Sequence, residues 1–347
     1  MLKENSAKIK VAVVILNWNG INYLKKFLPS VVQYSENEHV NIYVADNNST
    51  DNSVNFVKTN YPQIKIIQLL ENFGFAGGYN KALKQINAEY FILLNSDVEV
   101  TENWIMPIIN KMDLDNSISA AMAKIKSFAE KNKFEYAGAA GGFIDKFGYP
   151  FCRGRILNTI EEDNGQYDDE KEVFWASGAA MFVKAEVFNI LGGFDDDFFA
   201  HMEEIDLCWR MKNNGYKIMY YFDSQVFHVG GGALPNNSPH KLYLNYRNNL
   251  LMLFKNLPKE KLFTIIFIRL ILDGISALIY LLKFQFPNFY AVFKAHMFFY
   301  KLMPKFKKKR NENNISKDDE INNQIYTKSI VYQYIINKKT SFEKLRF

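Results

Sequence analysis

The sequence predicts an α/β fold built on a central, mostly parallel β-sheet that is flanked by helices. Residues 11–16 form a continuous apolar, β-branched run, which is typical of a strand buried on both faces of a parallel sheet. Three more strands are predicted at 41–45, 64–69 and 90–94, and apolar residues at helical spacing separate them. Repeated β-α units of this length favour parallel strands joined by right-handed crossovers.

Polar side chains gather at the points where these strands end. Asn17 and Asn19 follow the first strand, Asp46 the second, Asn72 the third and Asp97 the fourth. Ligands of parallel α/β sheets bind at the carboxyl ends of the strands. The sequence therefore predicts a binding site along this edge of the sheet.

Bulk composition narrows the class of protein. The chain has 347 residues, of which 48% are hydrophobic, so it can bury a sizeable core. Its net charge of +5 is too small to indicate nucleic acid, and no nucleic-acid partner is expected. Cys152 and Cys208 have neither the spacing of a zinc site nor that of a disulfide framework, and no apolar signal segment precedes the first strand. These features predict a cytoplasmic protein.

The middle of the chain is less regular. Residues 127–172 are predicted to be a variable loop region over the site. A strand at 173–183 and a short helix at 203–214 are expected to follow it, because apolar and helical patterns return there.

The character of the chain changes near residue 256. Residues 262–282 are long and apolar enough to span a bilayer, but Arg269 and Asp273 lie near the middle, where each charge costs about 2.5–3.5 kcal/mol. These charges fall on one polar helical stripe, which favours a helix lying in the membrane interface. An aromatic-rich segment and a basic cluster at 305–310 follow, and such clusters are attracted to anionic lipids. The alternative is a helical subdomain packed on the core.

Two residues suit a divalent cation. Asp97 follows a buried strand in the motif Asn95-Ser96-Asp97, and its carboxylate can hold Mg²⁺ or Mn²⁺ against phosphates. His228 is a second candidate ligand, and glycines at 230–232 leave room beside it for a substrate. The alternatives are a helix cap before a segment near Glu102 and a purely structural histidine.

Three carboxylates, those of Glu203, Glu204 and Asp206, fall in one helical turn. Asp206 is expected to pair with Arg210 at i,i+4, whereas Glu203 or Glu204 can act as general base on an acceptor hydroxyl. The alternative is a charged helix start without chemistry. The glycine-rich stretch 72–80 precedes another helix, where backbone amides can approach a phosphate or ribose, or it is an ordinary turn.

Taken together, these stretches resemble the family-2 glycosyltransferases, in particular the rhamnosyltransferase-like branch, over residues 10–255. The resemblance rests on the order of these motifs along the chain. The motifs are Val13-Val14-Ile15-Leu16-Asn17-Trp18-Asn19-Gly20, Asp46-Asn47-Asn48-Ser49-Thr50-Asp51, Asn72 to Asn80, Asn95-Ser96-Asp97, Gly192-Gly193-Phe194-Asp195, Glu203 to Arg210 and His228. The resemblance implies a GT-A catalytic domain over residues 1–255. The helical membrane-associating segment at 256–310 and a polar tail at 311–347 lie outside it.

The resemblance also implies roles for individual residues. Asn17 and Asp46 would contact the nucleoside of a nucleotide-sugar donor, with Asn19 beside them. Asn72, Gly74 and Asn80 would form the neighbouring wall of the donor site. Asn95 would also contact the donor, and Arg247 would bind its phosphate oxygens. The metal ligands would be Asp97 and His228. The catalytic base would be Glu204, with Trp175 and Asp206 bordering the acceptor.

Two positions depart from the family pattern. Asn95 stands where the family commonly has the first Asp of an Asp-x-Asp motif, which leaves one carboxylate fewer for a metal. Glu204 stands where the catalytic Asp is usual, which adds one methylene to the proposed base. Glu203 and Asp206 are the alternative bases.

The resemblance predicts transfer of one sugar, with inversion and with Mg²⁺ or Mn²⁺, to a lipid-linked or polysaccharide acceptor at the inner face of the cell membrane. The expected donor is dTDP-rhamnose, and a hexose or galactofuranose carried by UDP is the alternative. Three rivals remain: a degenerate nucleotide-sugar-binding module, a sugar nucleotidyltransferase and a membrane-associated structural protein. A nucleotidyltransferase would need a glycine-rich basic loop after the first strand, where this chain has Asn17 to Gly20.

Overall fold

A computed structural model describes residues 9–230, 238–315 and 324–347. Its first half alternates strands and helices, as the apolar pattern predicts. In chain order the elements are β1 (Ile9–Asn17), α1 (Ile21–Ser35), β2 (Val40–Asp46), α2 (Ser53–Asn60), β3 (Lys65–Gln68), α3 (Gly74–Leu83), β4 (Ala88–Asn95), β5 (Val98–Val100), α4 (Met106–Leu114) and β6 (Ile118–Ser127).

The second half holds several short strands and then long helices. Its elements are β7 (Gly142–Asp145), β8 (Pro150–Cys152), β9 (Arg155–Ile156), β10 (Thr159–Ile160), β11 (Glu170–Glu172), β12 (Ala180–Lys184), α5 (Ala185–Ile190), α6 (Glu203–Asn213), β13 (Lys217–His228), α7 (Pro239–Asn256), α8 (Lys259–Leu282), α9 (Phe286–Glu312), β14 (Ile325–Tyr326) and α10 (Ile330–Ile335), with 3-10 turns at Asp196–Phe198 and Glu343–Leu345.

The main sheet has the strand order β11-β13-β6-β12-β4-β1-β2-β3, and β5 pairs with β13. Strands β1, β2, β3 and β4 run parallel, and β13 runs parallel to β6, whereas β12 is antiparallel to both β4 and β6. Residues 11–14 of β1 are fully buried, which explains the continuous apolar run. The prediction of a mostly parallel α/β sheet is confirmed.

A second, smaller sheet occupies part of the predicted loop region at 127–172, between residues 142 and 160. It joins strands in the order β10-β9-β8-β7-β14. These strands are two to four residues long, too short for an alternating pattern to be visible in the sequence. The predicted strand at 173–183 is also wrong in its first half, because β12 begins only at Ala180.

The last described segment does not fit the prediction of a polar tail. Strand β14 lies parallel to β7, and the Ile330 amide donates to the buried Asp145 carboxylate at 2.8 Å. The Phe347 ring stacks on Tyr326 at 5.5 Å. Because the apolar residues here are few and scattered, the sequence pattern did not reveal that they meet a distant aromatic surface.

Helix α8 turns its polar stripe toward the protein. Arg269 is 2% and Asp273 0% exposed, and the Arg269 guanidinium donates to the Phe147 carbonyl at 2.8 Å and lies 3.9 Å from the Tyr149 ring centroid. The expectation that these charges face the polar side of a membrane interface is therefore wrong. The apolar residues of α8 are the ones that face outward.

Part of the predicted basic cluster also faces the body of the protein. Lys305 and Lys309 pair with the Asp197 carboxylate at 2.7 and 2.6 Å, and Lys309 pairs in addition with Asp195. Arg310 donates to the Phe254 carbonyl. Lys307 and Lys308 stay exposed.

Candidate active site

The ends of β1 and β2 form a polar corner. These strands pair with Asn17 opposite Asp46, and the Asn17 amide nitrogen donates to Asp46 Oδ1 at 3.2 Å and to Ser49 Oγ at 3.1 Å. The Asn17 Oδ1 atom is buried without a hydrogen-bond partner in the described structure. A buried acceptor without a partner is costly, so this corner is suited to a ligand that donates a hydrogen bond.

Asn19 shapes the loop over this corner. It has a left-handed φ of 50°, and its Oδ1 atom accepts from the Thr50 amide at 2.7 Å and from the Asp51 amide at 3.3 Å. The side chain therefore holds the 49–51 turn in place and is already hydrogen-bonded within the protein.

The start of α3 is occupied by protein groups. The Asn72 Oδ1 atom accepts from the Gly74 amide at 2.9 Å, and the Phe199 carbonyl accepts from the Phe75 and Ala76 amides at 2.7 and 3.1 Å. Gly74 has a φ of +70°, and a Cβ atom there would lie 2.5 Å from the Phe199 ring. These backbone amides, which were predicted to approach a phosphate or ribose, therefore hold the loop that contains Phe199.

Asn80 fixes a second part of the same loop. Its side chain exchanges two hydrogen bonds with the Phe194 backbone at 2.8 and 2.9 Å and donates to Asp196 at 2.6 Å. The Asn80 side chain therefore faces residues 194–196, whereas the Asn47 amide nitrogen donates to Asn72 Oδ1 at 3.0 Å and to the Gly74 carbonyl at 2.9 Å. The predicted donor contacts of Asn72, Gly74 and Asn80 stay predictions.

A candidate metal corner lies at the end of the neighbouring strand. His228 Nε2 is 3.1 Å from Asp97 Oδ1 and 3.4 Å from the Asn95 amide nitrogen. Strand β5 continues directly from Asp97 and pairs with the end of β13, with Val98 opposite His228, and this pairing brings the ligands together. Asp97 is therefore not a cap for a helix near Glu102.

Glu135 is a site residue that the sequence analysis missed. Its carboxylate is 3.4 Å from His228 Nδ1, and both side chains are buried. Burial lowers the pKa of His228, but the Glu135 and Asp97 carboxylates more than offset this and raise it to about 10. No motif marks Glu135, which lies in the irregular segment after β6.

The two donor atoms, Asp97 Oδ1 and His228 Nε2, fit a divalent cation. They are 3.1 Å apart and are of the oxygen and nitrogen types that Mg²⁺ and Mn²⁺ accept. Among the described residues, no group of three or more His, Cys, Asp or Glu side chains has metal-binding geometry. Two protein ligands would leave the remaining coordination positions to substrate and water.

Helix α6 begins with two carboxylates that have a free buried oxygen. The Oε2 atoms of Glu203 and Glu204 have no hydrogen-bond partner in the described structure. Burial raises the pKa of Glu204 to about 7 despite backbone amides that lower it, and burial together with the Glu204 charge raises the pKa of Glu203. Glu204 is partly exposed whereas Glu203 is buried, so Glu204 is the better placed to meet a substrate.

Asp206 is committed to a buried ion cluster. It is 0% exposed, and its carboxylate accepts from Arg210 at 2.9 Å, from Lys255 at 2.9 Å and from Asn256 at 2.8 Å. The expected pairing with Arg210 is confirmed. The alternative role as a base has no support from this geometry, because the carboxylate is buried and both of its oxygens already accept hydrogen bonds.

A strained loop leads into α6. Phe199, His201 and Met202 have φ values of 65°, 70° and 74°, the left-handed region that side chains other than glycine rarely adopt. Asn248 donates to the carbonyls of residues 198, 200 and 201, and Arg247 donates to those of residues 197 and 198. The Arg247 guanidinium therefore holds this loop, and its predicted phosphate contact stays a prediction.

Trp175 lies in the protein interior. It is 4% exposed, and its indole N–H donates to the Phe143 carbonyl at 3.0 Å. Its predicted acceptor contact also stays a prediction.

Comparison with known proteins identifies the family. The sequence profile described as "Glycosyl transferase family 2" matches residues 12–188, about half of the chain. The chain belongs to glycosyltransferase family 2. The matched range contains the polar strand ends at Asn17, Asp46 and Asp97.

Curated relatives of this glycosyltransferase are named rhamnosyltransferases. The N-acetylglucosaminyl-diphospho-decaprenol L-rhamnosyltransferase of Mycobacterium tuberculosis is 24% identical over 243 residues, which is 62% of this chain and 75% of the relative. The dTDP-rhamnosyl transferase RfbF of Shigella flexneri is 25% identical over 224 residues, 59% of this chain and 70% of the relative. The predicted resemblance to the rhamnosyltransferase-like branch is confirmed.

Solved structures support the GT-A fold. GalNAc-T7 with UDP, GalNAc and Mn²⁺ aligns with a TM-score of 0.57 at 15% identity, over 74% of the glycosyltransferase and 50% of that chain. Residues 1–349 of S. aureus TarS with UDP align with a TM-score of 0.51 at 16% identity, over 74% and 70% of the two chains. This glycosyltransferase thus spans about half the length of the GalNAc-T7 chain.

Proposed function

We propose that the protein transfers a sugar from a nucleotide-sugar donor to a hydroxyl of a lipid-linked or polysaccharide acceptor, with inversion. The observation that carries this proposal is the adjacency of two polar corners. Asn17 faces Asp46 across one strand pair, and Leu16 faces Asn95 across the next. The nucleoside corner and the metal corner are therefore neighbours on one edge of the sheet, as a nucleoside diphosphate requires.

The leaving group of this reaction is a nucleoside diphosphate. The donor nucleoside contacts Asn17 and Asp46. The buried Oδ1 atom of Asn17, which has no hydrogen-bond partner in the described structure, can accept a hydrogen bond from it. A divalent cation held by Asp97 and His228 would supply positive charge to the departing diphosphate. Because Asn95 provides no carboxylate, Asp97 and His228 are the two side chains that would hold the cation.

Glu204 is the general base. Its carboxylate takes the proton from the acceptor hydroxyl as that oxygen forms a bond to the anomeric carbon. The bond from the anomeric carbon to the phosphate oxygen breaks on the opposite face, and the nucleoside diphosphate leaves with the bonding electron pair. A pKa of about 7 leaves a useful fraction of Glu204 deprotonated at neutral pH while keeping it basic.

The donor we propose first is dTDP-rhamnose, because the similar proteins of M. tuberculosis and S. flexneri are named as rhamnosyltransferases and one of them by its dTDP donor. A thermal-shift panel of dTDP, UDP and GDP, each with and without Mn²⁺ or Mg²⁺, tests the donor site. We expect metal-dependent stabilisation by dTDP, and its loss in Asp97→Ala. Stabilisation by UDP alone would reassign the donor, and no stabilisation by any nucleotide would overturn the donor site.

The enzyme works at the cytosolic face of the membrane, with the outer surface of α8 and α9 in contact with lipid. Of the described helices, α8 alone is long and apolar enough to cross a membrane, and 11% of its apolar window is buried. Because Arg269 and Asp273 are turned inward, the outer surface of α8 between residues 262 and 282 is mostly apolar. Phe263 and Phe267 on α8 are 80% and 55% exposed, and Phe284 in the connection to α9 is 80% exposed. A surface of this kind marks a lipid or partner contact.

Sedimentation with phospholipid vesicles checks this contact. Burial of one Phe side chain contributes about 1.5–3 kcal/mol, so the double variant Phe263→Ser/Phe267→Ser should bind vesicles at least about tenfold more weakly. Leu114→Ser is the matched control, because Leu114 is 88% exposed on α4 of the catalytic domain. Equal binding by the double variant and wild type would rule out this face as the lipid contact.

A further inference from the structure

The imidazole of His228 lies between two carboxylates. Asp97 Oδ1 is 3.1 Å from Nε2 on one side of the ring, and Glu135 Oε2 is 3.4 Å from Nδ1 on the other. All three side chains are buried, with Glu135 6% exposed. Because Glu135 meets the far nitrogen, it is not positioned to share a cation with Asp97.

Glu135 is itself held rigidly. Its Oε2 atom accepts a hydrogen bond from the Ala137 amide, and its own amide donates to the Ile125 carbonyl in β6 at 3.1 Å. Gly230 leaves the space that the carboxylate fills, because a Cβ atom there would lie 2.7 Å from Glu135 Oε1. The glycines at 230–232 were expected to leave room for a substrate. Gly230 instead makes room for Glu135, and residues 231 and 232 lie outside the described residues.

We infer that Glu135 is a positioning residue for the metal ligand His228. A carboxylate that accepts from one ring nitrogen of a ligating histidine fixes which nitrogen is free for the metal and makes the ring a stronger ligand. This role has a particular reason in this chain. Asn95 provides no carboxylate to the site, and Glu135 supplies negative charge to the metal through the imidazole. The inference rests on the proposed metal site at Asp97 and His228.

The test is Mn²⁺ affinity, measured by electron paramagnetic resonance of free Mn²⁺ in the presence of saturating dTDP and, separately, UDP. Removal of such an orienting carboxylate typically costs about 10–100-fold in metal affinity, and we expect Glu135→Ala to fall in this range. Glu135→Gln keeps an oxygen that can face Nδ1 but removes the negative charge, so it should lose less Mn²⁺ affinity than Glu135→Ala.

Two further variants separate the possible failures. Glu99→Ala removes a partly exposed carboxylate close to the same corner, which pairs with Lys131 at 2.6 Å, and it should bind Mn²⁺ like wild type. Asp97→Ala tests the metal site itself: if it binds Mn²⁺ as tightly as wild type, the proposed metal site falls. If Asp97→Ala loses Mn²⁺ but Glu135→Ala stays within about twofold of wild type, the metal site stands and the role of Glu135 is overturned.

Discussion

Replacement of Glu204 by glutamine is expected to lower kcat by about 10²–10⁴-fold, the usual contribution of a general base. Glutamine has nearly the same size but cannot take a proton, so donor binding should be retained. Glu203→Gln is the matched comparison, because the two carboxylates are neighbours and both have an unpartnered Oε2 atom. Transfer to acceptor, measured beside nucleotide binding, checks the result. A larger loss in Glu203→Gln than in Glu204→Gln would reassign the base.

The pH dependence of the same rate provides a second readout. Burial raises the pKa of Glu204 to about 7, and the base must be deprotonated to act. The rate should therefore decline as the pH falls through about 7 and level off above it. In Glu204→Gln the residual rate should lose this inflection. An unchanged inflection in that variant would assign it to another group.

Replacement of Asp206 by alanine is expected to cause the largest loss of stability. It would leave Arg210 and Lys255 buried without their shared carboxylate, and breaking one partner of a buried ion cluster costs about 3–5 kcal/mol in the free energy of unfolding. Urea unfolding measures the change. Lys255 retains Asp195 at 2.8 Å, which would place the loss toward the lower end of this range.

Glu130→Ala is the control for this prediction. Glu130 pairs with Lys133 at the surface, where an ion pair contributes about 0–1 kcal/mol, so the variant should unfold close to wild type. A comparable loss in both variants would show that the buried cluster has no special role. Activity of folded Asp206→Ala that stays near wild type would also exclude Asp206 as the base.

The sequence predicted those parts of the fold whose pattern is visible within a short stretch of the chain. Asn17, Asp46 and Asp97 could be brought together because parallel strands end on one side of a sheet, and the structure has them there. The resemblance to family 2 is likewise confirmed by the profile match. The individual roles of these residues remain predictions.

What the sequence did not predict depends on contacts between distant segments. The Arg247 guanidinium binds the carbonyls of residues 197 and 198, about fifty positions away, and no sequence pattern indicates this contact. Glu135 has no motif, and only the pairing of β13 with β6 brings His228 to it. The polar stripe of α8 could be detected, but a stripe does not say whether water or protein covers it. Arg269 and Asp273 are covered by protein.

The position of β14 has a consequence for how the chain matures on the ribosome. Strand β7 is translated early, yet β14, which pairs with one of its edges, comes near the end of the chain. The Ile330 amide that donates to Asp145 lies 185 positions after it. Until then the edge of β7 is open and the Asp145 carboxylate lacks this partner. Helices α8 and α9 leave the exit tunnel before the small sheet is complete. Nascent chains arrested before β14 should therefore be sensitive to protease within residues 142–160.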